Sequence, residues 1–326
     1  MIEYDWYPHP GPQYEFCTRP EFEVLFGGSA GPGKTDCLIV EAARYVHVEG
    51  YRAILFRRTF PQLQEIIDRC WNMYPQWGGV YKAGEHRWYF GRNTFIQLSH
   101  MQHEANMYDH QGKEYHFAGF DELTQFLEAQ YMYLHSRVRM PPKGVPLRIR
   151  STTNPGGIGH VFCKKRFIDV ANPLETYIDP MSGQSRCFVP ATVYDNPTLI
   201  SEDPLYVKRL EALPEIEKMR LLYGKWDIFE GQVFTELNQA THGTEDFDIP
   251  PEWEKIMVFD WGYARPYCAL YFAVDHNGVI YLYKEKYGMV DNDPNKGVRQ
   301  TNTQICRELY KIENEKINIR VADPAC

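Results

Sequence analysis

Short apolar runs alternate with stretches of helical period through the first two thirds of the chain. Residues 22–26, 51–59, 115–122 and 147–151 are runs of strand length, and 87–101 folds about Gly91-Arg92-Asn93 as a hairpin. Between them, 36–47, 61–71 and 127–136 repeat apolar positions three and four apart and read as helices, the second opened by Pro61. Such alternation predicts an α/β unit with a mostly parallel central sheet. Residues 160–225 read as mainly helical, with two helices parted at Pro214. Over 227–251 the periodicity fades while Gly, Thr, Asp and Pro accumulate, which marks a linker. Beyond it, 256–260, 267–275 and 279–287 read as strands, the last two joined by His276-Asn277-Gly278; a helix of about fifteen residues and a strand over 317–322 follow. The expected organisation is a first domain over 1–226, including a helical segment 200–226, a linker 227–251 and a second α/β domain over 252–326.

The first strand runs into glycines and ends in a lysine and a threonine. Gly28, Ser29, Ala30, Gly31, Pro32, Gly33, Lys34 and Thr35 satisfy G-x-x-x-x-G-K-[ST], the pattern of a phosphate-binding loop. Glycine lets consecutive backbone N–H groups approach phosphate oxygens that a Cβ would fend off, and the following helix points its positive end at them. Lys34 would neutralise the β- and γ-phosphates and the Thr35 hydroxyl would coordinate Mg²⁺, so ATP with Mg²⁺ is the expected ligand. Asp121 and Glu122 close the run 115–122. An Asp at a strand end beside such a loop can hold the metal, and the Glu after it can polarise the attacking water, although Asp-Glu pairs also cap helices. Arg57 and Arg58 end the second strand, where they reach nucleotide or DNA or form a surface pair. Arg137 and Arg139 suit either an arginine finger supplied to a γ-phosphate, including that of a neighbouring subunit, or a DNA-facing role. The turn Thr152-Thr153-Asn154-Pro155-Gly156-Gly157 presents small polar side chains at a strand tip, where loss of the γ-phosphate would be felt. Gln13, about fifteen residues before the loop, has an amide able to read an adenine edge or simply to face solvent.

Composition narrows the setting. The 326-residue chain has a net charge of −8, which confines any contact with nucleic acid to local basic patches. One stretch qualifies: from Arg137 to Arg166 there are eight Lys or Arg residues and no Asp or Glu. No apolar run reaches membrane-spanning length, and MIEYDWYPHP is too acidic and polar for a signal peptide. The eight cysteines are scattered without a C-x-x-C, which fits a reducing cytoplasm and supports neither a zinc site nor a disulfide framework.

In order and spacing the loop, the Asp-Glu strand end, the Arg-Val-Arg segment and the TTNPGG turn resemble the large terminase subunit of tailed bacteriophages, from about Gln13 onward. The resemblance implies a P-loop ATPase that drives double-stranded DNA into a procapsid. Gln13 then matches the adenine motif, Lys34 and Thr35 the phosphate and Mg²⁺ positions, Asp121 and Glu122 the metal-binding and catalytic acids, and Asn154 the coupling motif. It further implies a portal protein and a small terminase subunit as partners, a homo-oligomeric ring on the portal with a monomer in isolation, and action in the cytoplasm of the infected bacterium, outside the mature virion. The element order after Lys255 resembles a ribonuclease H-like nuclease, in which Asp260 and Asp323 would bind paired Mg²⁺ or Mn²⁺ ions and cut genome units. The sequence ends at Cys326, before the family's third acid, so the expectation is an incomplete nuclease domain, weak or inactive. Many relatives carry an early basic residue in the loop; here Lys34 is its one cation, which leaves open which arginine completes the charge clamp. Outside this resemblance, a helicase or other translocase with a DNA-binding second domain, and a nucleotide-dependent assembly switch, fit the same loop.

Overall fold

Strands covered on both faces need apolar residues at every position, and the run that enters the phosphate loop meets that demand. In the computed structural model, which describes residues 6–227, 242–290 and 293–322, β1 (Glu23–Gly28) is buried throughout. The chain divides into two compact units, residues 1–237 and 238–326.

The first unit is built on a nine-stranded sheet. After α1 (Pro12–Thr18) and β1 come α2 (Lys34–Ala43), β2 (Arg52–Arg57), α3 (Phe60–Met73), β3 (Val80–Lys82), β4 (Arg87–Gly91), β5 (Thr94–His100), β6 (Phe117–Phe120), α4 (Glu128–His135), β7 (Arg148–Thr153), α5 (His160–Cys163), β8 (Tyr177–Ile178) and β9 (Ser185–Ala191). The strand order is β3-β4-β5-β2-β6-β7-β1-β9-β8, and the central run β5-β2-β6-β7-β1-β9 is parallel. Alternate side chains feed two cores: Val24, Phe26, Ala53 and Leu55 join Leu38 of α2 and Leu63 of α3, while Leu25, Ile54 and Phe56 join Tyr131 of α4 and Phe162 of α5. Helix α3 starts at a capping box, the Thr59 hydroxyl accepting from the Gln62 amide and the Gln62 side chain accepting from the Thr59 amide. Short helices α6 (Pro197–Glu202), α7 (Tyr206–Glu211) and α8 (Glu215–Leu221) complete the unit.

Two expectations change. Residues 160–225 are not mainly helical: β8 and β9 lie among them, and β9 pairs with β1 from Glu23↔Arg186 to Gly28↔Ala191. The run Cys187-Phe188-Val189 is too short for its period to separate strand from helix, and tertiary pairing decides. Nor does the basic stretch form one patch. Arg150 is fully buried, Arg148 lies 3.2 Å from the buried Glu41, and Arg166 binds the buried Glu23 through two bonds of 2.8 and 2.9 Å. These arginines balance core carboxylates, leaving Arg139, Lys143 and Lys165 of the stretch exposed.

In the second unit β10 (Glu254–Asp260), β11 (Tyr267–Val274) and β12 (Ile280–Val290) form an antiparallel meander, β13 (Asp293–Gly297) pairs with β12, and β14 (Ile319–Ala322) runs parallel to β10. Helix α9 (Asn302–Ile312) covers one face, where Ile305 and Leu309 pack with Met257, Tyr267, Ala269 and Tyr271. The second sheet is consistent with a nuclease-like domain of the expected ribonuclease H-like α/β class. Among the described residues no helix is long and apolar enough to cross a membrane.

Candidate active site

In a parallel sheet the loops leaving the carboxyl ends of the strands converge, and here the ends of β1, β2, β6 and β7 do so around one cavity of about 770 Å³. Its floor is the loop 28–35. Gly28 has φ +137°, and a side chain there would run into the Ala191 carbonyl of β9. Gly33, at φ +80°, opens α2, and an added Cβ would stand 2.7 Å from Gln13 Nε2. Both positions require glycine. Outside contacts fix the loop: Ser29 N donates to Ala191 O (2.9 Å), Ala30 N to Leu221 O (2.7 Å) and Asn196 Nδ2 to Gly31 O (2.8 Å).

Every charged group expected at the loop from the first domain's central motifs lies in this cavity or beneath it. Lys34 is buried, and its Nζ donates to Ser29 O (2.6 Å) and Asn154 Oδ1 (2.8 Å). Burial pushes its pKa down, against the pull of Glu122 and Asp121. Thr35 Oγ1 is 3.2 Å from both oxygens of Asp121, which also accepts from the Thr152 hydroxyl and pairs with Arg57 Nε at 2.8 Å. Glu122 has left-handed backbone angles, φ 58° and ψ 59°, a conformation that costs a residue with a Cβ about 1 kcal/mol or more. Two bonds of 3.2 Å from Asn154, one from its N–H and one from Nδ2, hold the carboxylate. Burial raises its pKa, and Asp121 adds to the rise while Lys34 and Arg57 oppose it. The turn after β7 is thus wired to the site: Thr152 to Asp121, Asn154 to Lys34 and Glu122, and Thr153 to Thr124 (2.7 Å).

Gln13 also lines the cavity, with its amide engaged: Nε2 donates to Pro32 O (2.9 Å) and Oε1 accepts from His9 N (2.9 Å). Arg137 and Arg139 do not join the site of their own chain. They flank Val138, which bridges to Tyr115 before the start of β6, whereas Asp121 follows its end; six residues of extended chain separate the two by about 20 Å. Of the paired arginines, Arg57 faces the cavity, while Arg58 donates to Met101 O and Gln130 Oε1 and is structural. Glu65 and Arg69 of α3 line the same wall and had no motif to announce them; their only sequence signal was a four-residue spacing on a helix.

A family model described as terminase large subunit, T4likevirus-type, N-terminal, matches residues 25–239. The chain belongs to that family. Among solved structures, a large terminase from a thermophilic bacteriophage is 18% identical, with a TM-score of 0.55, over 98% of this chain and 78% of that one. The complex of the same phage enzyme with ADP is likewise 18% identical, with a TM-score of 0.54, over 96% of this chain and 77% of that one. Its complex with ATP-γ-S, again 18% identical, has a TM-score of 0.53 over 98% and 78%. At this identity the likeness establishes the fold. No curated protein matches the sequence.

In the second unit Asp260 is exposed at the end of β10, and Phe259 stands opposite Ala322 of β14. Asp323, the other expected nuclease acid, lies outside the described residues. No group of three or more His, Cys, Asp or Glu suited to a metal occurs among the described residues.

Proposed function

We propose that this chain is the ATP-hydrolysing subunit of a viral DNA-packaging motor. The observation that carries the reading is the convergence of Lys34, Thr35, Glu122 and Asn154 on one cavity floored by the phosphate loop, with Asp121 buried behind Thr35, in a chain of the large-terminase family. The triphosphate would lie along the N–H groups of Gly31, Gly33, Lys34 and Thr35 with its γ end between Lys34 and Glu122. A hydroxyl and a carboxylate 3.2 Å apart make a hard oxygen donor set suited to Mg²⁺, so Thr35 and Asp121 would hold that ion, which supplies charge neutralisation at the phosphates. Glu122 would take the proton of the attacking water. Asn154, bonded to both Lys34 and Glu122, would feel the γ-phosphate leave and pass the change to the turn 152–157.

Gln13 supports a further reading, that it sets the loop's shape through Pro32 while its remaining N–H and lone pair face the base. Arg137 and Arg139, on the far rim of the sheet, fit a contact with the DNA backbone or with a neighbouring subunit's nucleotide in a homo-oligomeric ring on the portal, with the small subunit as a further partner in the infected cell's cytoplasm. Asp260 and Asp323, with Mg²⁺ or Mn²⁺, would belong to the nuclease that cuts genome units. Residues 1–226 as ATPase, 227–251 as a linker, of which 228–241 lie outside the described residues, and 252–326 as nuclease complete the proposed division of labour.

Glu122→Gln tests the reading. Turnover should fall at least a hundredfold while a fluorescent ATP analogue binds within a few-fold of the parent. Surviving turnover would remove Glu122 from the mechanism. An ATPase rate that stays flat with DNA and assembled portal present would favour a nucleotide-dependent switch, and strand separation would favour a helicase.

A further inference from the structure

The loop between Gly28 and Lys34 contains no cation, yet a bound triphosphate brings several negative charges beside one buried lysine. Among the described residues lining the cavity, the arginines are Arg57 and Arg69. Arg69 is engaged at the outer wall, 2.8 Å from Asp36 and 3.0 Å from Glu65. Arg57 is placed differently. It ends β2, immediately beside β6 with Phe56 opposite Phe120, and its side chain is only 11% exposed. Its Nε lies 2.8 Å from Asp121 Oδ2, and its Nη2 is 3.7 Å from Glu65.

Asp121 is therefore already engaged. Its oxygens accept from the Thr35 and Thr152 hydroxyls, and the Arg57 guanidinium forms a close ion pair with Oδ2 that balances the carboxylate's charge. Hydroxyls can rotate and become ligands of a divalent ion; a guanidinium cannot, and its positive charge repels one. Resting on the nucleotide reading above, we propose that Arg57 is an internal stand-in for the metal. In the nucleotide-free chain it neutralises the buried Asp121. When a divalent cation takes that carboxylate, Arg57 leaves it, stays tethered by Glu65 and turns its free donors to the terminal phosphates, supplying the second positive charge that the loop lacks. Arg57 is thus a positioning residue for the empty site and a phosphate ligand in the filled one.

The test measures metal and nucleotide binding, not turnover. In the full 326-residue chain, Mn²⁺ alone is titrated by electron paramagnetic resonance, with no nucleotide present. Arg57→Gln should bind Mn²⁺ at least tenfold more tightly than the parent, and Asp121→Asn in that background should abolish the gain. Arg57→Lys, which keeps the charge, should stay near the parent. Arg58→Gln, which removes a charge one residue away but never touches Asp121, should move the affinity less than twofold. With Mg²⁺ and a non-hydrolysable ATP analogue the order should invert, Arg57→Gln binding at least tenfold more weakly. Mn²⁺ affinity in Arg57→Gln equal to or below the parent's, with an unchanged melting temperature, would overturn the exchange; should that variant unfold, Arg57→Lys binding Mn²⁺ tenfold more tightly than the parent would do so. A parent chain that binds no nucleotide would instead sink the reading of the site itself.

Discussion

Glu122 joins two costs that a surface carboxylate avoids. Its backbone sits in the left-handed region, and burial with Asp121 alongside raises its pKa despite the opposing charges of Lys34 and Arg57. A base works only when ionised, so its activity is lost as pH falls through a pKa that lies above the usual 4.5. The kcat/KM for Mg–ATP, which reports the free chain, should therefore decline on the acidic side with a midpoint above that value, tenfold per pH unit below it. Steady-state phosphate release against pH checks this, and a rate that stays flat until the protein unfolds would exclude Glu122 as the base. The same wiring explains what motifs conveyed. The glycine pattern and the Asp-Glu pair carry fixed spacings, so Lys34, Thr35, Asp121 and Glu122 were legible; Arg57 stood beside Arg58 with nothing in the sequence to say which would face the cavity. Only the pleat of β2, with its neighbour β6, separates them.

At the scale of elements, the sheet is locked to its helices by buried ion pairs. Glu23 begins β1, receives two bonds from Arg166 and one from Tyr131 of α4 (2.6 Å), and lies 3.5 Å from His135. Burial works to raise its pKa, but bonds from His135, Arg166 and Tyr131 outweigh it and bring it down to about 2. A carboxyl whose folded pKa is depressed stabilises above its unfolded pKa and loses that contribution as pH falls through the folded one. Between pH 4.5 and about 2 this group should surrender about 3 kcal/mol. Glu23→Gln leaves Arg166 without its counter-ion and should cost about 3–5 kcal/mol at neutral pH. Denaturant midpoints measured against pH should show a shallower acidic loss in the variant; identical slopes would assign the acid sensitivity elsewhere. This network also shows why part of the fold was hidden. A glutamate in a buried strand and an arginine in a basic stretch each look like solvent-facing residues until the fold brings the two, 143 positions apart, together. Strand β9 escaped for a related reason, since Cys187-Phe188-Val189 becomes a strand only because β1 offers an open edge beside it.

For the molecule as a whole the question is how a chain of net charge −8 would hold a polyanion. The basic stretch is no answer as a unit, because Arg148, Arg150 and Arg166 are held by core acids and carbonyls. Of the rest, Arg137 and Arg139 lie on the rim opposite the cavity. They flank the backbone pairing with Tyr115, and a pocket of about 330 Å³ lined by Arg52, Arg87, Lys113 and Tyr115 adjoins them. Glu114 pairs with Arg52 and Glu85 with Arg87, while the Arg137 guanidinium bonds to the Ser136 hydroxyl, so Lys113 and Arg139, both exposed, stand with Arg137 among the cations in excess. If this rim grips the duplex backbone, Arg139→Glu with Lys113→Glu should weaken DNA binding for every sequence alike. The slope of log affinity against log salt should flatten by about 1 for each phosphate no longer neutralised. Nucleotide affinity should not change, because about 20 Å of β-strand separates the rim from Asp121. Filter binding over a salt series decides it. Unaltered DNA affinity together with an ATPase deficit that parent subunits repair in mixed assemblies would assign Arg139 to a neighbour's triphosphate instead, since only a group acting across a subunit boundary can be supplied by another copy.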